Sequence, residues 1–301
     1  MNKRIGWIIG LGAIIAYSPN TPIARGAIVA GMDPITLLMA RFVFASILFG
    51  IAMSVTSLGK SSEAKPMDGR GIAIGLGTGA LNGLMLAALF SGLKTVSASI
   101  TSMVMISLIP IFTLVIMLFD GERITKQIAI RLIIGLLGLY LLLGVNGSAD
   151  IFGLFLVVVA SATYSIHIIS VQWYLSAYNT WWVTTIIVIG ATVSVGVLWV
   201  NAGMDTFVPM PIGLWAILAQ GIISTFIGRI LTYSAVNRIG STQFALLSPL
   251  ETALTILWAV LFLGERLTGS QWLGTGLIMV SVILAADIVW QWMSSSKSIR
   301  P

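Results

Sequence analysis

Eight side chains able to bind a polar solute or carry charge stand inside long apolar stretches of this chain: Asn20, Arg41, Tyr164, His167, Arg229, Gln243, Glu251 and Trp258. Polar groups in such surroundings are costly and usually face protein or a water-filled cavity, so each is a candidate for the wall of a binding site. Glu251 is the only acid in the run 241–263. Arg229, with Tyr233 one turn further along the same helical face, is its natural partner. Two readings of that pair stand side by side. It is a structural ion pair, or Glu251 exchanges its partner or takes up a proton as part of a working cycle.

The other candidates divide in the same way. Tyr17-Ser18-Pro19-Asn20-Thr21-Pro22 interrupts the first apolar run. Each proline removes a donor and frees an upstream carbonyl, so the segment is a packing kink or a broken helix whose Asn20 offers a donor and an acceptor to a solute. Arg41 lies early in the second run, where it could bind a carboxylate or snorkel to the headgroups. His167 is the only histidine, with Tyr164 on the same side of its helix. One histidine cannot build a metal site, which leaves a proton carrier or a hydrogen-bonded packing residue. Asn82 and Gln220 are further candidates, and Trp258, more central than the other tryptophans, packs or meets the solute.

The elements that hold these residues follow from composition. Of 301 residues, 57% are hydrophobic and 9% charged, and mean hydropathy is +1.02. Soluble domains carry about 25% charge. The composition therefore predicts an integral membrane protein built of helices. Cysteine is absent, which excludes disulfides and thiolate chemistry. The net charge of +6 does not point to nucleic acid, because the basic residues are sparse and sit mostly between apolar runs.

Ten spans are expected, at about 5–24, 34–57, 71–92, 95–119 and 124–145, then two within 151–204 divided near 172–180, then 212–233, 241–263 and 270–288. With the N-terminus inside, the inner segments hold Lys3, Arg4, Lys60, Lys65, Arg70, Arg123, Lys126, Arg238, Lys297 and Arg300. The outer ones hold Arg25, Lys94 and Arg266. That bias is a positive-inside signal placing both termini in the cytoplasm.

The chain also repeats. Ala98 in the segment from Thr95 matches Ser241, and Gly121-Glu122-Arg123 at its end matches Gly264-Glu265-Arg266, each pair 143 positions apart. Five spans is an odd number, so a second copy enters the membrane from the opposite side. The expected architecture is an inverted repeat of residues 1–147 and 148–290, with a short cytoplasmic tail at 291–301. The two Gly-Glu-Arg motifs are expected to be structural: glycine ends each helix through positive φ and the charges fix its depth.

At this point the chain resembles a known family. Asn237-Arg238-Ile239-Gly240, Ser248-Pro249-Leu250-Glu251, Leu263-Gly264-Glu265-Arg266, Gln271 and Gly274 in the second half are similar to the EamA-type, ten-helix members of the drug/metabolite transporter superfamily. Leu108-Ile109-Pro110, Asp120 to Arg123 and Arg41-Phe42 echo them in the first half. Two positions depart from the family pattern: Thr252, where a proline usually follows the acid, and Arg131, where glycine is common. The resemblance implies a secondary active transporter of small organic solutes (amino acids, related metabolites or drugs), more often by export. It would sit in the inner (plasma) membrane of a bacterium or archaeon. The resemblance also places an asparagine in the region of Asn20.

Hydrolase elbows, phosphate loops and zinc signatures are missing from the sequence. No cofactor and no obligate protein partner is implied. Without an ATPase motif, transport must draw on a solute or ion gradient; Glu251 fits protons as the coupling ion, with sodium as the alternative. Glycine pairs such as Gly135 and Gly138, or Gly274 and Gly276, suit close helix packing. The competing functions are a membrane enzyme or lipid-modifying protein, which would need a clustered acid, base or metal set, and a non-transporting sensor, which would need a larger polar domain than the connection at 59–70 provides.

Overall fold

The computed structural model describes residues 3–55, 67–119, 150–175, 177–239 and 247–277, with positions 133, 134, 137, 138, 140, 141, 244, 279 and 280. Most of the expected fifth span, the later part of the tenth, the tail at 291–301, Gly121-Glu122-Arg123 and Gln243 lie outside the described residues.

Every regular segment described is helical. Helices α1 (Lys3–Tyr17) and α2 (Asn20–Val29) form a broken first element, followed by α3 (Pro34–Val55), α4 (Gly69–Gly92) and α5 (Ala98–Phe119). After the division between halves come α6 (Ile151–Ser170), which continues as a π-helical turn, Val171–Leu175, and α7 (Thr180–Asn201). Next are α8 (Ile212–Ala219), a wider π-helical segment Gln220–Gly228, α9 (Arg229–Ile239) and α10 (Ser248–Leu263). A last helix, α11, covers 269–277.

Five stretches are long and apolar enough to cross a bilayer: Pro34–Ser54, Gly69–Gly92, Ile151–Leu175, Thr180–Asn201 and Ile212–Ala235. Exposed Ile8, Phe155, Val193, Trp215 and Phe262 give this bundle the apolar outside that lipid requires.

The ends of the helices are set by local chemistry. Asp68 Oδ1 accepts the Gly71 N–H at 2.7 Å and starts α4. Asp150 starts α6 by accepting from Gly153, and Asn179 starts α7 by accepting from Trp181. The division at Asn179 falls inside the polar stretch expected to separate these two spans. Gly264 closes α10 at φ +64°, as its place after an apolar run predicts.

Lipid tails are as apolar as leucine, so helices associate in a membrane through close packing and hydrogen bonds. The tightest crossing joins α4 to α7. A Cβ added at Gly79 would strike the backbone carbonyl of Ile187, and one at Gly190 the carbonyl of Leu76. Gly75 and Gly83 extend the same stripe against Ile186 and Ser194. Among the described residues, nothing lies within 4 Å of a Cβ added at Gly276, one of the glycines expected to pack closely.

Elements of the two halves interleave. Helix α4 packs on α6 and α7, α5 on α6 and α10, α1 on α9, and α3 on α7 and the π-helical segment. One apolar core runs through both halves, including Leu37, Phe42, Phe90, Met103, Val157, Val188 and Ile256. At one end of the bundle polar groups tie the elements together. Lys94 pairs with Asp33 at 3.1 Å, Thr95 donates to Asp150, Thr36 donates to the Asp205 carbonyl, and Arg25 donates to the Leu93 carbonyl.

Candidate functional site

The first helix breaks at Ser18-Pro19, and the break organises the interior. Pro19 has no N–H to offer the carbonyl of residue 15, and the Ser18 hydroxyl takes that carbonyl at 3.2 Å. Pro22 likewise leaves the Ser18 carbonyl without its helical donor. The Thr255 hydroxyl of α10 supplies one at 3.0 Å. Ser224 donates to the Ala16 carbonyl, and Gln220 Nε2 donates to the Asn20 carbonyl at 3.1 Å. A broken helix is tolerated at membrane depth only when neighbouring elements satisfy its backbone in this way. The break is therefore held by α10 and the π-helical segment, both in the second half of the chain.

Arg41 lies in α3 beside this break and is 1% exposed. It does not snorkel to the headgroups, which corrects one of the two sequence readings. Its Nη1 donates to Asn20 Oδ1 at 2.9 Å and to Gln220 Oε1 at 3.2 Å, and its Nε donates to Thr225 Oγ1 at 2.7 Å. The guanidinium also lies near the rings of Phe42 and Phe90. All three acceptors are neutral. The π-helical segment brings Gln220 and Thr225 to one guanidinium, and π-bulges of this kind often occur at functional sites.

Arg229, first residue of α9, is 6% exposed. Its Nη2 donates to Asn82 Oδ1 in α4 at 2.5 Å, and it shares a hydrogen bond with Tyr233. Its Nε is buried and has no partner among the described residues. The expected ion pair with Glu251 is not formed. Arg229 turns to Asn82 instead. His167 in α6 holds the Thr78 carbonyl through Nδ1 at 3.0 Å. A carbonyl only accepts, so Nδ1 carries the proton in that contact. This fits the packing role, and the Tyr164 ring lies 6.1 Å away.

Glu251 occupies the first turn of α10, which starts at Ser248 with proline in its opening turn. A carboxylate there meets the positive end of the helix dipole. It is half-buried and lies within electrostatic reach of Tyr17 and Tyr164. Arg229 acts on the same two phenols and on His167. Tyr17 packs against Gly228, immediately before Arg229, where a Cβ would come within 3.0 Å of its ring. Trp258 donates its indole N–H to Ser18 Oγ at 3.0 Å and stacks on Phe262, so it supports the helix break.

Of the eight residues singled out, Asn20 and Arg41 therefore meet directly. Tyr164, His167, Arg229 and Glu251 gather in one electrostatic neighbourhood, Trp258 braces its edge, and Gln243 lies outside the described residues. Thr225, Ser224 and Thr255 were not expected. Ser224 and Thr225 stand just before Arg229, and Thr255 one turn after Glu251, but a hydroxyl in a helix can equally be spent on its own backbone, so only the fold brings these three to the break. Among the described residues no group of acidic or histidine side chains could hold a metal ion.

A model of the EamA-like transporter family matches residues 4–144 and again 151–286. No curated protein matches the chain. A solved structure described only as "Crystal structure of protein" aligns over 97% of this chain and 99% of its own, with a TM-score of 0.63 and 17% identity. At that identity the likeness speaks for the fold alone.

Proposed function

The chain belongs to the EamA-like transporter family, and from that premise we propose that it is a secondary active transporter moving small organic solutes by alternating access. It is a multi-pass membrane protein carrying two copies of the family repeat, and the family is one of transporters, not enzymes. In our reading the copies are five-span units, about 1–147 and 148–290, inverted relative to each other, with both termini cytoplasmic in a bacterial or archaeal plasma membrane. The solutes are amino acids, related metabolites or drugs, the direction is export, and protons are the coupling ion through Glu251.

The observation that carries this proposal is the polar interior built jointly by both halves. The broken first helix and Arg41 come from one, and Gln220, Thr225, Arg229 and Glu251 come from the other. The inter-half packing supports the repeat, because it is reciprocal. Taking spans in order, the first meets the eighth as the third meets the sixth, the second meets the eighth as the third meets the seventh, and the fourth meets the sixth as the first meets the ninth. Exchanging the halves maps each contact onto another, which is what a two-fold relation requires. Asp33, Lys94, Asp150 and Asp205, all in expected outer links, gather at one end of the bundle, which agrees with the alternation of spans.

The experiment is a screen of solutes by thermal shift on purified protein, followed by flux in proteoliposomes. A solute that stabilises the protein and is carried against its gradient when a pH gradient is imposed supports the reading. Absence of flux for every stabilising solute contradicts it. Accessibility of tags at both ends, in intact cells and inverted vesicles, tests the topology.

A further inference from the structure

Two guanidinium groups lie in the interior within electrostatic reach of each other, and neither has a carboxylate partner among the described residues. Arg41 is surrounded by neutral acceptors that use its Nε and Nη1. Arg229 differs. It is more than nine-tenths buried, and among the described residues its hydrogen bond to another helix goes to Asn82 and its Nε has nothing to donate to. Glu251 is the one acid of this neighbourhood and is not bonded to either arginine. A buried guanidinium without an anion is strongly disfavoured, and more so at membrane depth. One donor of such a group is left unspent, free for an acceptor that is not part of the chain.

We propose that Arg229 is the anchor for an anionic solute group, a carboxylate, which takes its unspent Nε while Asn82 holds the guanidinium in place. This rests on the transporter reading above and names the chemical class of its solute. Asn82 accepts at Nη2 and fixes the plane of the fork. The Tyr17 ring packs on Gly228, immediately before Arg229, so an aromatic face stands next to this anchor. Arg41, held by its three neutral partners, adds positive potential without being consumed by an internal ion pair. The carboxylate thereby supplies the charge the interior lacks, since two guanidinium groups stand there against the single carboxylate of Glu251.

The test uses binding, so that it is independent of whether transport occurs. Full-length protein in nanodiscs is titrated with acetate and with three probes sharing one aryl chain: 3-phenylpropanoate, 3-phenylpropanamide and 3-phenylpropylamine. Thermal stabilisation and calorimetry are the readouts. The proposal expects the two carboxylates to bind and the cation to bind no better than the amide. Arg229→Gln should weaken the carboxylates by roughly ten- to hundredfold, the loss of one charge-assisted hydrogen bond, and leave the amide unchanged. Asn82→Asp keeps the size of the side chain but places a carboxylate on Arg229 from within. It should raise thermal stability and abolish 3-phenylpropanoate binding, and it decides the matter if Arg229→Gln does not fold. No carboxylate binding by the wild type, equal or tighter binding of the cation, or wild-type carboxylate binding by Asn82→Asp overturns the proposal. Carboxylate binding without flux would leave the anchor standing and sink the transporter reading. Flux of the cation alone would do the reverse.

Discussion

Glu265 caps the N-terminus of α5 from the other half of the chain: its Oε1 accepts the Ala98 N–H at 2.7 Å and its Oε2 accepts the Ser99 N–H at 2.9 Å. Both oxygens of one carboxylate thus satisfy two of the orphan donors that open a helix, at the end where the dipole favours negative charge. The Gly-Glu-Arg motif is structural here, as its place in the sequence suggests, but its acid does more than set the depth of a span. It fastens α10 to α5. Glu265→Ala should cost about 1–2 kcal/mol, the loss of a charged cap, and Glu265→Gln less. Thermal unfolding of the purified variants checks the order.

The α4–α7 crossing predicts a sharp positional contrast. Gly79→Ala drives a methyl into the Ile187 carbonyl and should destabilise by about 1–3 kcal/mol. Gly77, on the same helix, has nothing within 4 Å of an added Cβ. Gly77→Ala should be neutral or stabilising by up to about 1 kcal/mol, through helix propensity. Comparing the two midpoints of thermal unfolding tests whether the crossing is as close as described.

Arg41 predicts non-conservation between cations. Arg41→Lys keeps the charge but cannot reach Asn20, Gln220 and Thr225 together, because an ammonium lacks the planar fork. Each buried acceptor left unsatisfied costs about 1–3 kcal/mol. Arg41→Lys should therefore lower the melting temperature and flux together, and Arg41→Gln more so. A lysine variant with wild-type stability would show that the network at the helix break is not what Arg41 holds.

Asp150 gives a pH dependence outside the membrane. The Gly153 N–H and then the Thr95 hydroxyl hold its carboxyl below the ordinary value of 3.8. A group whose folded titration is depressed contributes stability above its unfolded value and loses it as pH falls through the folded one. Stability should therefore decline as pH drops below about 4, and Asp150→Asn should flatten that acid limb by starting from a lower stability at neutral pH, where the charge contribution is lost. Melting curves of both proteins between neutral and acid pH decide it.

The sequence exposed what the bilayer makes expensive. Asn20, Arg41, Arg229 and Glu251 were legible because a polar group in an apolar run needs a reason, and the break at Ser18-Pro19 because proline carries no donor. Its partners were not legible. Arg229 bonds to Asn82, 147 positions away, and the nearest acid by sequence logic, Glu251, lies elsewhere, at the start of α10. The π-helical segment Gln220–Gly228 has an ordinary apolar composition, so nothing in it announces the wider turn that brings Gln220 and Thr225 to Arg41. The crossing of Gly79 with Gly190 is equally hidden, because glycines are scattered through the chain and only the packed bundle says which of them face each other.

The central claim is that this polar interior moves solute by exchanging partners at Glu251. Flux driven by a pH gradient, measured in proteoliposomes for wild type and Glu251→Gln over a range of pH, tests it most directly. Glutamine keeps the size of the side chain and removes its titration. The account predicts that the variant inserts and melts like the wild type but loses gradient-driven flux and its pH dependence. Unchanged flux with unchanged pH dependence in correctly inserted Glu251→Gln protein would contradict it.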